Sequence, residues 1–165
     1  MAEPFCPSLR SLLSAVGATL PLKLHSSGTY VCMEGPQFST RAESEMHRAW
    51  GGDLIGMTLM PEAKLAREAE MCYAAVALVT DYDCWRKRLA DEDKVALLEE
   101  IIGNVKAATQ NALSLIGKAL PSVAAQAYQP CDCQSALKLA IWSDRNMIPE
   151  DLSLRLSPLI GKYIG

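Results

Sequence analysis

Two aspartates, Asp81 and Asp83, are the side chains of this 165-residue sequence whose type and spacing are best suited to chemistry. They follow an uncharged apolar run, residues 73–80, which is typical of a central strand buried on both faces. Two neighbouring carboxyl groups can divide their roles, because a protonated one donates a hydrogen bond while an ionised one accepts one. Adenine offers the complementary pair, an acceptor at N7 and a donor at the N6 amine. The aspartates could instead cap a loop or the next helix, since Asp-x-Asp is a weak motif.

Two further strand-to-loop transitions could bring polar groups to the same place. Residues 29–33 (TYVCM) predict a strand that runs into an irregular loop at 34–39. Residues 53–58 (DLIGMT) predict a second short strand. Ligands in α/β sheets bind at the carboxyl ends of the strands. We therefore expect the loops that follow the three predicted strands to meet at one edge of a sheet.

Helix signals alternate with these strand signals along the chain. Apolar residues at helical spacing predict a first helix at 8–16, and Pro61 opens another helix that runs to about Met71. A long helix is expected at about 93–120, where apolar residues recur at close to 3.6 residues, and Pro121 marks its predicted end. This alternation predicts an α/β fold with a mixed, twisted sheet flanked by helices.

A capping box predicts the helix that follows the loop at 34–39. Thr40 is the expected N-cap, and Glu43 stands three residues later, so that each side chain can bond the other's backbone N–H. The glycines at 51–52 are expected to end this helix. Its predicted buried face consists of Ala42, Met46, Ala49 and Trp50.

The composition indicates an ordinary globular domain. Hydrophobic residues make up 50% and charged residues 21% of the chain, and the net charge is -3. Without a basic stripe or a long apolar run, neither nucleic acid nor a membrane is an expected partner. No signal peptide is recognisable, and we expect a cytoplasmic location. We expect one domain at 1–120 and a tail or arm at 121–165, in which residues 134–142 could form a short helix.

The six cysteines predict reduced, packed thiols and no metal site. A zinc site needs four ligands, commonly from two separated pairs, and the sequence contains a single Cys-x-Cys pair. Neither of the two histidines has ligand spacing to that pair. A metal or a redox disulfide at the pair remains the alternative. The pair is Cys131 and Cys133, and the isolated cysteines are Cys6, Cys32, Cys72 and Cys84.

The loop and strand sequences together resemble a known enzyme family. The run EGPQFSTRAES at 34–44 is similar to the signature loop of the trimeric purine nucleoside phosphorylase family. DLIGMT at 53–58 and TDYDCW at 80–85 are similar to its methylthioadenosine phosphorylase branch, as is MAEPFCP at 1–7, which lies mid-chain there. The resemblance covers about residues 1–120 in order. It implies the C-terminal half of the nucleoside phosphorylase fold, and we expect the sequence to be a truncated form.

The resemblance also implies a reaction. In this family phosphate attacks C1′ of the ribose, so that 5′-methylthioadenosine gives adenine and 5-methylthioribose 1-phosphate, without a cofactor and in a homotrimer when the subunit is full-length. By carry-over, the catalytic Asp81 would hydrogen-bond N7, Asp83 would hold the N6 amine, and Thr58 would offer its hydroxyl to phosphate. The other implied substrate-binding residues are Phe38 and Ser39 near the base or ribose, Met57 under the ribose, and Tyr82.

Most of the family's phosphate site is expected to lie outside this sequence. The family's N-terminal half supplies a Gly-rich phosphate loop and an Arg-His pair, and only Thr58 of this chain would serve phosphate. Because catalysis depends on orienting phosphate and neutralising charge, losing those groups should cost several orders of magnitude in rate. Three hypotheses stay open: a truncated phosphorylase sequence, an adenine- or nucleoside-binding module without turnover, and an assembly fragment that pairs with a full-length subunit.

Overall fold

A small parallel sheet lies among helices in the computed structural model, which describes residues 1–86, 94–127 and 129–164. Helices and strands alternate over the first part of the chain, as predicted, and the α/β class is confirmed. Short 3-10 turns at Asp132–Ser135 and Arg145–Met147 follow the longest helix. The elements in chain order are α1 (Pro7–Gly17), β1 (Tyr30–Cys32), α2 (Arg41–Ala49), β2 (Leu54–Gly56), α3 (Leu59–Glu68), α4 (Lys94–Gln126) and α5 (Glu150–Ile164).

The two strands pair in parallel, so their carboxyl ends share one edge. Tyr30 lies opposite Leu54 and Cys32 opposite Gly56. The Met33 N–H extends the pairing by donating to the Gly56 carbonyl at 2.9 Å. A Cβ atom on Gly56 would lie 1.8 Å from the Tyr30 hydroxyl oxygen, so any larger residue here would displace the Tyr30 ring. Both predicted strands are therefore confirmed, each with a core of three residues.

Helix α2 begins as predicted but turns a different face inward. The Thr40 N–H donates to Glu43 Oε2 at 2.7 Å, and the Glu43 N–H donates back to Thr40 Oγ1 at 3.3 Å. Ser44 is buried and His47 is half-buried, because a hydrogen bond from Ser44 to a neighbouring loop fixes the rotation of the helix. The predicted buried face was wrong, and its members are exposed: Ala42, Met46, Ala49 and Trp50.

The main helix contact joins α1 and α4. Leu12 on α1 is buried, as are Leu115 and Ala119 on α4. A Cβ atom on Gly17 would lie 3.7 Å from Leu115 Cδ1, which shows how closely the two helices approach. Apolar residues at helical spacing thus form the predicted helices and bury one stripe of each.

Helix α4 continues through Pro121, so the prediction that this proline ends the helix is wrong. A proline inside a helix removes one hydrogen bond and costs about 3 kcal/mol. Pro121 and Gly117, whose carbonyl loses its partner, are both exposed, so water can reach that carbonyl. The alanines that follow favour helix and carry it to Gln126. The predicted start at Asp93 lies outside the described residues.

The apolar run 73–80 forms neither a helix nor a strand with the described residues. Its ends are anchored, because the Tyr73 carbonyl accepts from the Cys6 N–H at 2.8 Å and the Thr80 carbonyl accepts from Asn104 Nδ2 at 2.7 Å. Leu78 and Val79 are 39% and 59% exposed, so the predicted burial on both faces is wrong. Apolar composition favours a strand, but a ladder also needs a neighbouring strand, and neither β1 nor β2 pairs with this run.

The tail holds more structure than predicted. Residues 134–142 form turns rather than a helix, and the expected arm contains α5, which runs through Pro158. Glu150 and Asp151 lie in the first turn of α5, where acidic side chains favour helix, directly after Pro149. Glu70 anchors the tail through an ion pair with Lys162 and a 2.9 Å hydrogen bond from the Leu137 N–H. Within the described ranges, no helix is both long and apolar enough to span a membrane.

Candidate functional site

Loops that leave β1 and β2 at their common edge form the floor of the candidate site. The loop after β1 begins with Glu34 and Gly35, and β2 leads directly into Met57 and Thr58. Gly35 has a positive φ of 73°, and a Cβ atom there would lie 3.0 Å from Met57 Sδ. Glycine therefore serves both the turn and the close packing of the Met57 side chain.

Asp83 accepts two hydrogen bonds, one from α2 and one from its own loop. The Ser44 hydroxyl donates to Asp83 Oδ2 at 2.5 Å, and the Cys84 N–H donates to Asp83 Oδ1 at 2.8 Å. The Cys84 thiol in turn donates to the Ser39 carbonyl at 3.2 Å. The loop at 81–85 is thereby joined to α2 and to the loop before it, which confirms that the third transition reaches the same edge. Ser39 Oγ also lies 3.6 Å from Met33 Sδ.

Asp81 is exposed next to this network rather than buried within it. Its Oδ1 accepts from the Thr80 hydroxyl at 2.7 Å. Asn104 on α4 holds the Thr80 carbonyl, so the base of the loop is fixed while the Asp81 carboxyl group faces solvent. The two aspartates thus have different surroundings: one is immobilised by protein donors and the other is free to meet a ligand.

Two exposed aromatic rings lie on the loops of the candidate site. Phe38 is 83% exposed and Tyr82 is 60% exposed, which is high for side chains of this size. Tyr82 meets the Trp85 ring edge to face at 5.7 Å, and the Arg48 guanidinium lies 3.7 Å from the centre of the Trp85 ring. Such exposed rings offer apolar faces to a planar or sugar ligand.

Thr58 stands at the start of α3 with its hydroxyl uncommitted to the helix. It occupies the N-cap position, yet its side chain accepts no capping hydrogen bond, and the residue is exposed. Met60 interrupts α3 with an extended backbone (φ −110°, ψ 136°), so the regular helix begins after it and Thr58 lies before that N-terminus. The contact between Thr58 and phosphate stays a prediction.

Sequence reasoning missed three residues that hold the site together: Ser44, Asn104 and Arg48. Ser44 lies within the run at 34–44, and its polar type concealed that it faces inward. Asn104 stands in the half-buried stripe of α4 between Ile101 and Ala108. A lone amide at an apolar stripe position could have indicated a specific hydrogen bond. For Arg48 the sequence offers no comparable signal.

Two titratable groups near the site have shifted pKa values. Burial raises the pKa of Tyr30, and the neighbouring Cys32 raises it further, so this phenol stays neutral. The backbone N–H of Thr40 lowers the pKa of Glu43, the Thr40 hydroxyl adds to this effect, and the capping carboxylate stays ionised. Neither shift creates a general base at the carboxyl pair.

Within the described residues, a cavity and a group of side chains with metal-site spacing lie outside the candidate site. A cavity of about 340 Å³ lies between the end of α3 and α5, lined by Glu70, Gln134 and Lys162 among others. One group of described side chains has the spacing of a metal site, and it consists of cysteines rather than the predicted site residues. The candidate site itself is an open shelf at the sheet edge, formed by the loops at 34–39, 57–58 and 81–85.

Comparison with known proteins places this chain in a family. The S-methyl-5′-thioadenosine phosphorylase of Koribacter versatilis is 42% identical over 163 residues, which cover 99% of this chain and 54% of that protein. The crystal structure of a methylthioadenosine phosphorylase sourced from an Antarctic soil metagenomic library has a TM-score of 0.82 at 39% identity. The match covers 96% of this chain and 55% of that protein.

A further solved structure is a complex. Methylthioadenosine phosphorylase from Schistosoma mansoni in complex with adenine has a TM-score of 0.67 at 31% identity. The match covers 84% of this chain and 52% of that protein. The chain thus spans about half the length of the curated relatives it matches. The predicted likeness to the nucleoside phosphorylase fold is confirmed, and the model of the Phosphorylase superfamily matches residues 1–121. The chain belongs to the Phosphorylase superfamily.

Proposed function

We propose that this chain provides the adenine-binding side of a site for phosphorolysis of 5′-methylthioadenosine. The observation that carries the proposal is the pair of carboxyl groups in unlike surroundings: Asp83 is fixed by two donors, and Asp81 is exposed two residues away. Related proteins support it, since the relative from Koribacter versatilis bears the name of this enzyme and the Schistosoma mansoni structure contains adenine.

The carboxyl pair suits a 6-aminopurine. Asp83 keeps lone pairs free beyond its two protein donors and would accept from the N6 amine. Asp81 would lie at N7, where negative charge develops as the base leaves, and in its protonated form would donate to that atom. Tyr82 and Phe38 would cover the base or the ribose, and Ser39 would lie beside the adenine.

The ribose and phosphate would occupy the floor of the shelf. Met57 would lie under the ribose, with its backbone N–H directed to a sugar hydroxyl, and the Thr58 hydroxyl would contact inorganic phosphate. Phosphate is then the co-substrate, and no cofactor enters the reaction. Bond cleavage produces adenine and 5-methylthioribose 1-phosphate, which links the activity to purine and methionine salvage. We place this work in the cytoplasm.

A second candidate, binding or assembly without turnover, is favoured by the exposed surface. The chain exposes 12323 Å², whereas a compact monomer of 17.9 kDa exposes about 8,000 Å². Helix α4 presents a second apolar stripe that the chain itself leaves open. Such a surface fits a partner subunit, and we propose a homotrimer of longer subunits as the active form. The stripe consists of Leu98, Ile102, Val105, Leu113, Ile116 and Leu120.

Adenine release from 5′-methylthioadenosine, measured with and without phosphate, separates the two candidates. Phosphate-dependent release that falls about 100-fold or more in Asp81→Ala would favour turnover, because general acid catalysis contributes about 10²–10⁴-fold. The matched control is Asp144→Ala, an exposed aspartate that caps the turn at Arg145–Met147.

Calorimetric titration with adenine gives the second measurement. Binding without release, weakened in Asp83→Ala but not in Asp144→Ala, would favour the binding module. Neither release nor binding by the folded chain would overturn the assignment of the shelf to adenine.

A further inference from the structure

The structure brings together four cysteines that are far apart in the sequence. Their Sγ atoms all lie within 4.8 Å of one another, and the Cys6 and Cys131 sulfurs are 3.7 Å apart. All four are free thiols. Four sulfurs at the zinc–sulfur bond length of 2.3 Å, placed at the corners of a tetrahedron, are separated by about 3.8 Å. The members of this four-cysteine cluster are Cys6, Cys72, Cys131 and Cys133.

We propose that the four-cysteine cluster is a structural zinc site. The Cys6–Cys131 sulfur pair already has the separation of a tetrahedral edge, and bringing a pair 4.8 Å apart to that separation requires each sulfur to move by about 0.5 Å. An all-thiolate tetrahedral set selects zinc or an iron–sulfur centre over magnesium or calcium, which prefer oxygen ligands. Four protein ligands leave no open position, as in structural rather than catalytic zinc sites.

Three separate parts of the fold hold the four ligands. Cys6 is the N-cap of α1, and its backbone N–H bonds the Tyr73 carbonyl, which keeps it next to Cys72. Cys131 and Cys133 belong to the turn that opens the tail. Cys6 and Cys133 are 1% and 3% exposed, while Cys72 is exposed and would provide the route by which an ion enters. The arrangement is therefore assembled by the fold rather than by chance contact of surface side chains.

Hydrogen-bond donors around the cluster favour thiolates, which are the form that binds zinc. The Leu9 N–H donates to Cys6 Sγ at 3.5 Å, and Arg67 Nη1 donates to Cys133 Sγ at 3.7 Å. These two donors would offset part of the negative charge that four thiolates bring to one ion.

Zinc at this place would fasten the tail to the body of the chain. The four-cysteine cluster links the start of α1, the segment after α3 and the beginning of the tail, across 125 residues between Cys6 and Cys131. Because the ligands are assembled only in the folded chain, binding energy for the metal becomes folding energy. The proposed role is mechanical and does not depend on catalysis at the carboxyl pair.

The test is metal analysis of the whole chain, purified with a reducing agent and equilibrated with zinc. We expect about one zinc ion per chain after gel filtration, and loss to background in the double variant Cys131→Ser, Cys133→Ser. The matched control is Cys32→Ser, Cys84→Ser, which removes two thiols outside the four-cysteine cluster and should keep the ion. Equal zinc in both double variants, or none in the parent chain, would overturn the proposal.

Cobalt spectroscopy is a second measurement that does not depend on the folding of the double variant, because its signal comes from the parent chain. Cobalt(II) added to the parent chain should produce sulfur-to-metal charge transfer and the visible bands of a tetrahedral site. Cys72→His should retain the metal with altered bands, because imidazole is also a zinc-type ligand. A parent chain that shows no such bands, and whose mass is lower by two hydrogens for each disulfide, would mean that the cysteines pair with each other instead.

Discussion

Ser44→Ala tests how much one buried hydroxyl contributes to the candidate site. Ser44 is 1% exposed and donates to Asp83 Oδ2 at 2.5 Å. Alanine is smaller and favours helix, so α2 should persist in the variant. The substitution therefore removes a single hydrogen bond between the helix and the loop that carries the carboxyl pair.

The expected loss follows from the surroundings of Asp83. A hydrogen bond to a charged group contributes about 1.5–3 kcal/mol. Asp83 keeps the Cys84 N–H as a second donor, and as a half-buried residue it can bind water in place of Ser44, so the lower end of that range applies. The higher helix propensity of alanine offsets about 0.5 kcal/mol of this loss in the free energy of unfolding. We expect a net loss of about 1 kcal/mol, which lowers the urea midpoint by roughly 0.5 M at an m-value near 2 kcal/mol/M.

Urea unfolding followed by circular dichroism measures this loss, and Ser114→Ala is its control. Ser114 is exposed on α4, and its hydroxyl donates to the Gln110 carbonyl one turn earlier, at 2.9 Å. Its replacement gains the same helix propensity and breaks no bond to a carboxylate, so its stability should change by less than about 0.5 kcal/mol. Equal midpoints for Ser44→Ala and Ser114→Ala would refute the reasoning, because Asp83 would then be fixed by something other than Ser44.

Two further predictions concern the core and the tail. Leu115→Ala should cost about 2–5 kcal/mol in urea unfolding, because Leu115 is 2% exposed between α1 and α4; Leu139→Ala, at an 83% exposed position, should change stability by under about 0.5 kcal/mol. Burial raises the pKa of Glu70, but hydrogen bonds from Lys162 and Tyr163 outweigh it and lower the pKa below 4.5. Because the folded pKa is the lower one, the stabilisation is complete above pH 4.5 and is lost as the pH falls through the folded value. Glu70→Gln should therefore be less stable at pH 7, with the difference closing in acid; a difference that does not depend on pH would contradict the role of this charge.

Local sequence signals predicted the elements that position the site. The capping box at Thr40 and Glu43 acts within four residues, and the strands at 29–33 and 53–58 are bounded by loop residues. These features depend on backbone preference and short-range hydrogen bonds, which a sequence displays directly. The resemblance in the motifs then indicated which of the following loops carry the site.

Features set by distant partners could not be predicted in this way. The pattern of apolar residues predicted that the apolar face of α2 is buried. Ser44 faces inward instead, because its hydroxyl bonds Asp83, which is 39 residues away in the sequence. The run at 73–80 has the composition of a central strand, but composition does not create a neighbouring strand. The four-cysteine cluster could not be predicted for the same reason, since Cys6 and Cys72 approach the Cys-x-Cys pair only in the folded chain.

The exposed apolar run after α3, residues 71–80, also favours association between chains at high protein concentration. From Met71 to Thr80 the sequence contains no charge, proline or glycine, and most of this stretch is exposed. Such a stretch is a template for cross-strand association between chains, which natural sequences limit by placing charged gatekeepers at its ends. Here those positions belong to Glu70 and Asp81. Asp81, which we assign to the leaving base, is thus also one of the two flanking charges, and neutralising it would remove one gatekeeper together with the proposed contact to N7.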